Sequence, residues 1–338
     1  MERITSRVAI AAAAAAGLAL LAAGCTGSTT TATDTHPSAA SAASRALHSP
    51  FTITARYSAK SLGLSHPSAF AIGPDRNLYV TDLNQRVTVV SPTGTVLRHW
   101  GKPGSGPGEF KFVPGDPTVP TDVQAGIADG PDGKVYVSDS GNARVEVFTP
   151  QGRFVRQFGS YGGKKGQFLR PGDPAVDAAG DVYVADDEPG TLSKFSPGGK
   201  VLWTIGSGIS TDPDLTGHFH FSGFDAHGRL VVENDDVNRV LYIDASGHEV
   251  DAFSASTTGS STGHVCGTTV DAAGNTYVSG CGGPSPTLVY DRAHRLVAKW
   301  PGTPYALSQS PVFGPDGEVF ALATDGSILK LRVTLPGA

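Results

Sequence analysis

The chain has 338 residues, a formal net charge of −5, 39% hydrophobic residues and 17% charged residues. That much apolar matter with so little charge excludes a disordered chain. The slight acidity gives no electrostatic basis for binding nucleic acid, which needs clustered Lys and Arg.

Met1 to Arg7 carries Arg3 and Arg7, and positions 8–23 are an unbroken run of Ala, Leu, Val, Ile and Gly. A short basic region before about 15 apolar residues predicts a secretory signal peptide. The run is shorter than the roughly 20 residues of a spanning helix. It ends at Leu21-Ala22-Ala23-Gly24-Cys25, which resembles the lipobox of bacterial lipoproteins. It departs from that motif in having Leu four residues before the Cys and Ala at the usual apolar position. The resemblance implies cleavage after residue 24, acylation of Cys25, and attachment through the N-terminal lipid to the outer face of the cell membrane. The alternative is an ordinary signal peptide followed by an unmodified Cys. Residues 25–50 are rich in Ser, Thr and Ala without apolar periodicity, and read as a flexible tether.

Residues 51–338 contain a repeat. A short apolar strand, a Gly-containing turn and an alternating strand recur as FAIGPDRNLYVTD (Phe70 to Asp82), GIADGPDGKVYVSD (Gly126 to Asp139), PAVDAAGDVYVAD (Pro174 to Asp186), GFDAHGRLVVEN (Gly223 to Asn234), TTVDAAGNTYVSG (Thr268 to Gly280) and PVFGPDGEVFALA (Pro311 to Ala323). Tyr79, Tyr136, Tyr183, Val231, Tyr277 and Phe320 are equivalent, at spacings of 57, 47, 48, 46 and 43 residues. That is the length of a four-stranded propeller blade. Two further strands follow each copy, as in RVEVF (Arg144 to Phe148) and FVRQF (Phe154 to Phe158). Gly in these turns tolerates positive φ. The last copy ends with ILKLRV (Ile328 to Val333) and lacks its outer strand, while a spare strand, FTITARY (Phe51 to Tyr57), precedes the first. Pairing of these two would close a six-bladed, all-β propeller of antiparallel blades and remove its open edges.

The second unit reads VSDSGNARVEVFTPQGRFVRQFG, Val137 to Gly159, and its Asp-x-x-Asn-x-Arg-Val pattern resembles the NHL repeat. Asp82, Asn84, Arg86 and Val87 form a shortened version, and Asn238, Arg239 and Val240 a partial one. The segments ending GPGEF at Phe110 and KKGQF at Phe168 resemble the Gly-rich connectors of that family. Copies three, five and six lack the Asn and Arg. The resemblance implies a fold shared by protein- and RNA-binding modules, extracellular sensor domains and some lyases. It also implies a structural role for Arg86, Arg144 and Arg239, paired with acidic residues of a neighbouring strand. Regucalcin- and gluconolactonase-type propellers use acidic metal ligands that include a Glu at the start of the first blade. No Glu precedes Phe70 after the signal region, so that pattern is not matched.

Cys266 and Cys281 are an even pair in a chain expected to be exported, which predicts a disulfide. Counting outward from Val270 opposite Tyr277 sets them face to face, and about 3 kcal/mol would follow from the closed loop. His66, His220 and His264 each stand just before an innermost strand, with His218 alongside. If they converged on one mouth of the central channel they could bind zinc through three protein ligands, with bound water or Tyr305 as base. Isolated loop histidines are the alternative. Asp122 and Asp173 also enter inner strands and could line that mouth to bind a cation such as calcium or a basic ligand. Such Asp residues also accept turn hydrogen bonds. Asp186-Asp187-Glu188 and Asp235-Asp236 read as solvated outer-loop charges, and Trp100, Trp203 and Trp300, each ending a strand, as packing between blades.

Two functional classes follow, beside a purely structural envelope component. One is a monomeric, envelope-anchored binding, scaffold or sensor module for an extracytoplasmic protein, peptide or glycan, with function in the loops. The other is a metal-dependent lyase or hydrolase at a His-lined channel mouth.

Overall fold

A computed structural model describes residues 47, 49–114, 123–210, 215–255, 265–280, 285–302 and 305–335. Six four-stranded antiparallel sheets follow one another along the chain. Blades one to five run from inner to outer strand as Pro67–Ile72 to Val96–Trp100, Ile127–Asp129 to Phe154–Phe158, Pro171–Val176 to Val201–Gly206, Phe219–Phe224 to Glu249–Ser254, and Val265–Val270 to Leu296–Trp300. The sixth contains Val312–Phe313, Val319–Leu322 and Ile328–Val333. Its outer strand is Phe51–Tyr57, paired antiparallel with Phe51 opposite Val333 and Tyr57 opposite Ile328. The expected closure of the ring is therefore observed. Phe51 holds it from the side, with its ring 5.2 Å from that of Trp300 and 5.9 Å from that of Tyr277.

The repeated sequence signal has a common physical origin. The equivalent tyrosines Tyr79, Tyr136, Tyr183 and Tyr277 are all at most 1% exposed. Each directs its hydroxyl to a carboxylate of the turn before it, donating to Asp75, Asp132, Asp177 and Asp271 at 2.9 to 3.2 Å. A buried hydroxyl needs such a partner, so the Asp of the turn and the Tyr of the strand recur together. Arg98, Arg156 and Lys194 lie over three of these rings, 5.0 to 5.8 Å from the ring centre.

Arg144 takes the structural role expected of it. It is 5% exposed, bonds Asp139 at 2.9 Å and Gln157 at 2.9 Å, and donates to the carbonyls of Ser105, Gly106 and Glu109. The guanidinium thus ties the Gly-rich connector to blade two. Arg239 lies 3.7 Å from Glu249, and Arg86 donates to the carbonyl of Gly63. The tryptophans pack between blades as expected: Trp100 against Phe148 at 4.3 Å, Trp203 against blade four, donating to the carbonyl of Ala245 at 3.0 Å, and Trp300 against Phe51.

The register of blade five corrects one inference. Thr269, not Val270, faces Tyr277, and an irregularity between Val265 and Thr268 sets Val265 opposite Gly280. Direct counting therefore does not bring Cys266 opposite Cys281. Cys281 and the side chain of Cys266 lie outside the described residues, as do Cys25, the signal segment and most of the tether.

Candidate functional site at the channel mouth

The inner strands surround a channel of about 1580 Å³. Its wall is mostly small and apolar, as in Ala69, Ala71, Ala125, Ile127, Ala175 and Gly267. The turns at one end place Asp177, Asp225 and Asp271 there. Each of these accepts backbone N–H groups of its own turn, so they serve the fold. At the end where the inner strands begin, the ionisable wall residues among those described come from blades three and four: Arg170, Asp173, Asp187, His218, His220 and Asp235.

Close approach of the inner strands builds this wall. A Cβ on Gly126 of blade two would lie 2.6 Å from the carbonyl oxygen of Gly172 and 2.9 Å from the Cα of Asp173. Only glycine allows blade two so near the segment that presents Asp173. From there the Asp173 carboxylate reaches across to blade four, with Oδ2 3.4 Å from Nδ1 of His220. Behind His220, directly opposite it in the neighbouring strand, stands Glu233. Its exposure is 0%, and neither carboxylate oxygen has a hydrogen-bond partner among the described residues. Corresponding positions in the other blades hold Thr81, Ser138, Ala185, Ser279 and Leu322, which are small or apolar.

The groups perturb one another. Burial drives the carboxyl of Glu233 well above the usual range, against the pull of His220 and with the repulsion of Asp235 and Asp173. Burial likewise raises Asp187 to about 6, with His220 opposing and Asp173 adding to the shift. Burial disfavours the charged imidazole of His220. The hydrogen bond to Asp173 and the charges of Glu233, Asp173 and Asp187 outweigh it and push the ring up to about 10. At neutral pH His220 is protonated with Asp187 ionised beside it, and Glu233 favours its neutral form. Nearer the rim, Nδ1 of His218 is 3.2 Å from Asp236 and 3.7 Å from Asp235.

The sequence-derived candidates divide accordingly. His218, His220 and Asp173 come together. His66 stands apart from His220. Its backbone lies in the left-handed region at φ 48°, and its exposed side chain sits with Ala59, Leu64 and Asp325 at the junction of blades six and one. Tyr305 packs in the closure between blades five and six, under the Arg56 guanidinium at 5.0 Å, away from the channel wall. Asp122 and His264 lie outside the described residues. Asp187 and Asp235, read as solvated, line the channel instead, and Glu233 was not anticipated. Its signal was present in the repeat, as a Glu in a column of small and apolar residues.

No family model matches the chain. It is 30% identical over 152 residues to the protein brain tumor of Drosophila melanogaster, across 44% of this chain and 14% of that protein. Among solved structures it is similar to a catalytically inactive virginiamycin B lyase of Staphylococcus aureus with quinupristin. The TM-score is 0.56 at 12% identity, covering 84% of this chain and 100% of that one. It is also similar to a gluconolactonase of Xanthomonas campestris, with TM-score 0.58, 16% identity, and 80% and 87% of the two chains covered. These likenesses are of fold: the protein is a six-bladed β-propeller of four-stranded antiparallel blades.

Proposed function

We propose that the protein is an envelope-tethered binding module that takes the cationic part of an extracytoplasmic ligand at the channel mouth of blades three and four. The carrying observation is Glu233, a fully buried carboxyl without a hydrogen-bond partner among the described residues, in a column otherwise filled by small or apolar side chains. Burying such a group costs stability, and a cation held at the wall of Asp173, Asp187 and Asp235 in front of it would favour its ionised form, which gives the carboxyl a use. The signal peptide and Cys25 set this body outside the cell membrane on a lipid anchor. Structurally similar enzymes give a second reading, a lyase or hydrolase. The Asp173–His220 pair supports it, since a carboxylate on Nδ1 orients the ring and favours its protonated form, as a general acid needs.

Calorimetric titration with spermidine, a small polycation, tests the first reading. Wild-type protein is expected to bind at low ionic strength, with affinity falling as salt screens the site. The double variant Asp173→Asn, Asp187→Asn should bind at least 10-fold more weakly. No binding to wild type, or equal affinity in the double variant, contradicts the reading.

A further inference from the structure

We infer that His218, Asp235 and Asp236 form a divalent transition-metal site at the rim of the same mouth, an inference that rests on reading that mouth as a cation site. One ligand atom from each of the three side chains lies within 4.8 Å of the others. Atoms bound to zinc at about 2.1 Å in a tetrahedron lie about 3.4 Å from one another. The spacings from His218 Nδ1, 3.2 Å to Asp236 and 3.7 Å to Asp235, bracket that value without rearrangement. The imidazole nitrogen favours zinc and its neighbours over calcium or magnesium, which prefer oxygen.

The backbone holds the three residues in place. The N–H of Asp235 donates to the carbonyl of His218 at 3.4 Å. Asn234 donates to the carbonyl of Thr216 at 2.8 Å and accepts from the N–H of Asp236 at 3.2 Å. Gly217, at φ +124°, completes the cradle: a Cβ there would come within 2.6 Å of Asp236 Oδ2 and 2.9 Å of Asn234 Oδ1. A side chain at 217 would push Asp236 away from His218.

An independent observation points to a bound cation. Glu233 pairs with His220 in the sheet, beside the backbone bond between Asp235 and His218, and keeps a fully buried carboxyl with no hydrogen-bond partner among the described residues next to this cluster. A cation at the rim would set a counter-charge beside that carboxyl. His218 and Asp235 also line the channel, so a three-ligand ion there keeps a coordination position open to whatever enters. This set differs from the His66, His220 and His264 set expected from sequence.

The test is zinc binding to the untagged full chain, by equilibrium dialysis against a competing chelator, with cobalt(II) as a spectroscopic substitute. The expected result is one equivalent of zinc and a tetrahedral cobalt spectrum. His218→Ala and Asp236→Asn should each weaken binding at least 10-fold while keeping the wild-type urea midpoint within error, and His66→Ala should bind like wild type. An absence of zinc binding overturns the site, as does equal affinity in the His218 and Asp236 variants. Spermidine titration of the same samples separates the two claims. Spermidine bound without zinc refutes the metal site and leaves the cation-binding mouth standing. Loss of both refutes both.

Discussion

Replacing Glu233 by Leu should stabilise the protein while damaging its binding site. The substitution removes a carboxylate with 0% exposure and no hydrogen-bond partner among the described residues. Leucine is already accepted at the corresponding position of blade six, Leu322, which is fully buried. An unsatisfied buried polar group costs about 1–3 kcal/mol, and replacement of buried charge by packed apolar atoms returns about 1–4 kcal/mol. The expected gain at pH 8 is therefore about 1–4 kcal/mol in urea unfolding. The pH dependence carries its own sign. The folded-state pKa of Glu233 is raised above that of the unfolded chain, so the folded state holds the proton more tightly. Wild-type stability from this group is present at low pH and lost as pH rises toward the raised value. Leucine has no proton to lose, so the gain at pH 8 should exceed the gain at pH 5. A loss of more than about 1 kcal/mol at pH 8, or a gain that does not change with pH, would show that the carboxylate is satisfied in the native protein and refute the reasoning.

Other substitutions test the scaffold and the site separately. Arg144→Ala should cost about 3–5 kcal/mol in urea unfolding, because it strands Asp139 and Glu146 in the interior. Phe51→Ala should cost about 3–5 kcal/mol and open the ring where Phe51 meets Trp300, which faster amide exchange in Ile328–Val333 would report. Spermidine binding should weaken as pH falls through about 6, where Asp187 takes up its proton, while spermidine itself stays charged. Unchanged affinity between pH 7.5 and pH 5, each an approximate bracket of that transition, would remove Asp187 from the site.

The scaffold was legible because it is written six times. Each blade needs a Gly-containing turn and an alternating strand, and four of them a buried Tyr answered by an Asp, so period and closure could be read without coordinates. The site is written once. Glu233 lies in a strand that reads as one more apolar alternation, and only comparison with Thr81, Ser138, Ala185, Ser279 and Leu322 exposes it. His66 and His220 have the same sequence context ahead of an inner strand. A left-handed residue at 66 sets the first apart from the channel, while extended backbone keeps the second in its wall. Asp187 and Asp235 follow their strands in loops, which suggested solvent. The inward end of each blade makes the start of such a loop part of the channel. In blade five, the irregularity between Val265 and Thr268 defeats counting from the turn.

The most direct test of the central claim is a crystal structure of the protein grown with spermidine. The account predicts ordered density for an ammonium group at the mouth of the channel, within hydrogen-bond distance of Asp173 and Asp187 and on the side backed by Glu233. An empty mouth with spermidine bound elsewhere, or on the turn-lined end beside Asp177 and Asp225, would contradict it.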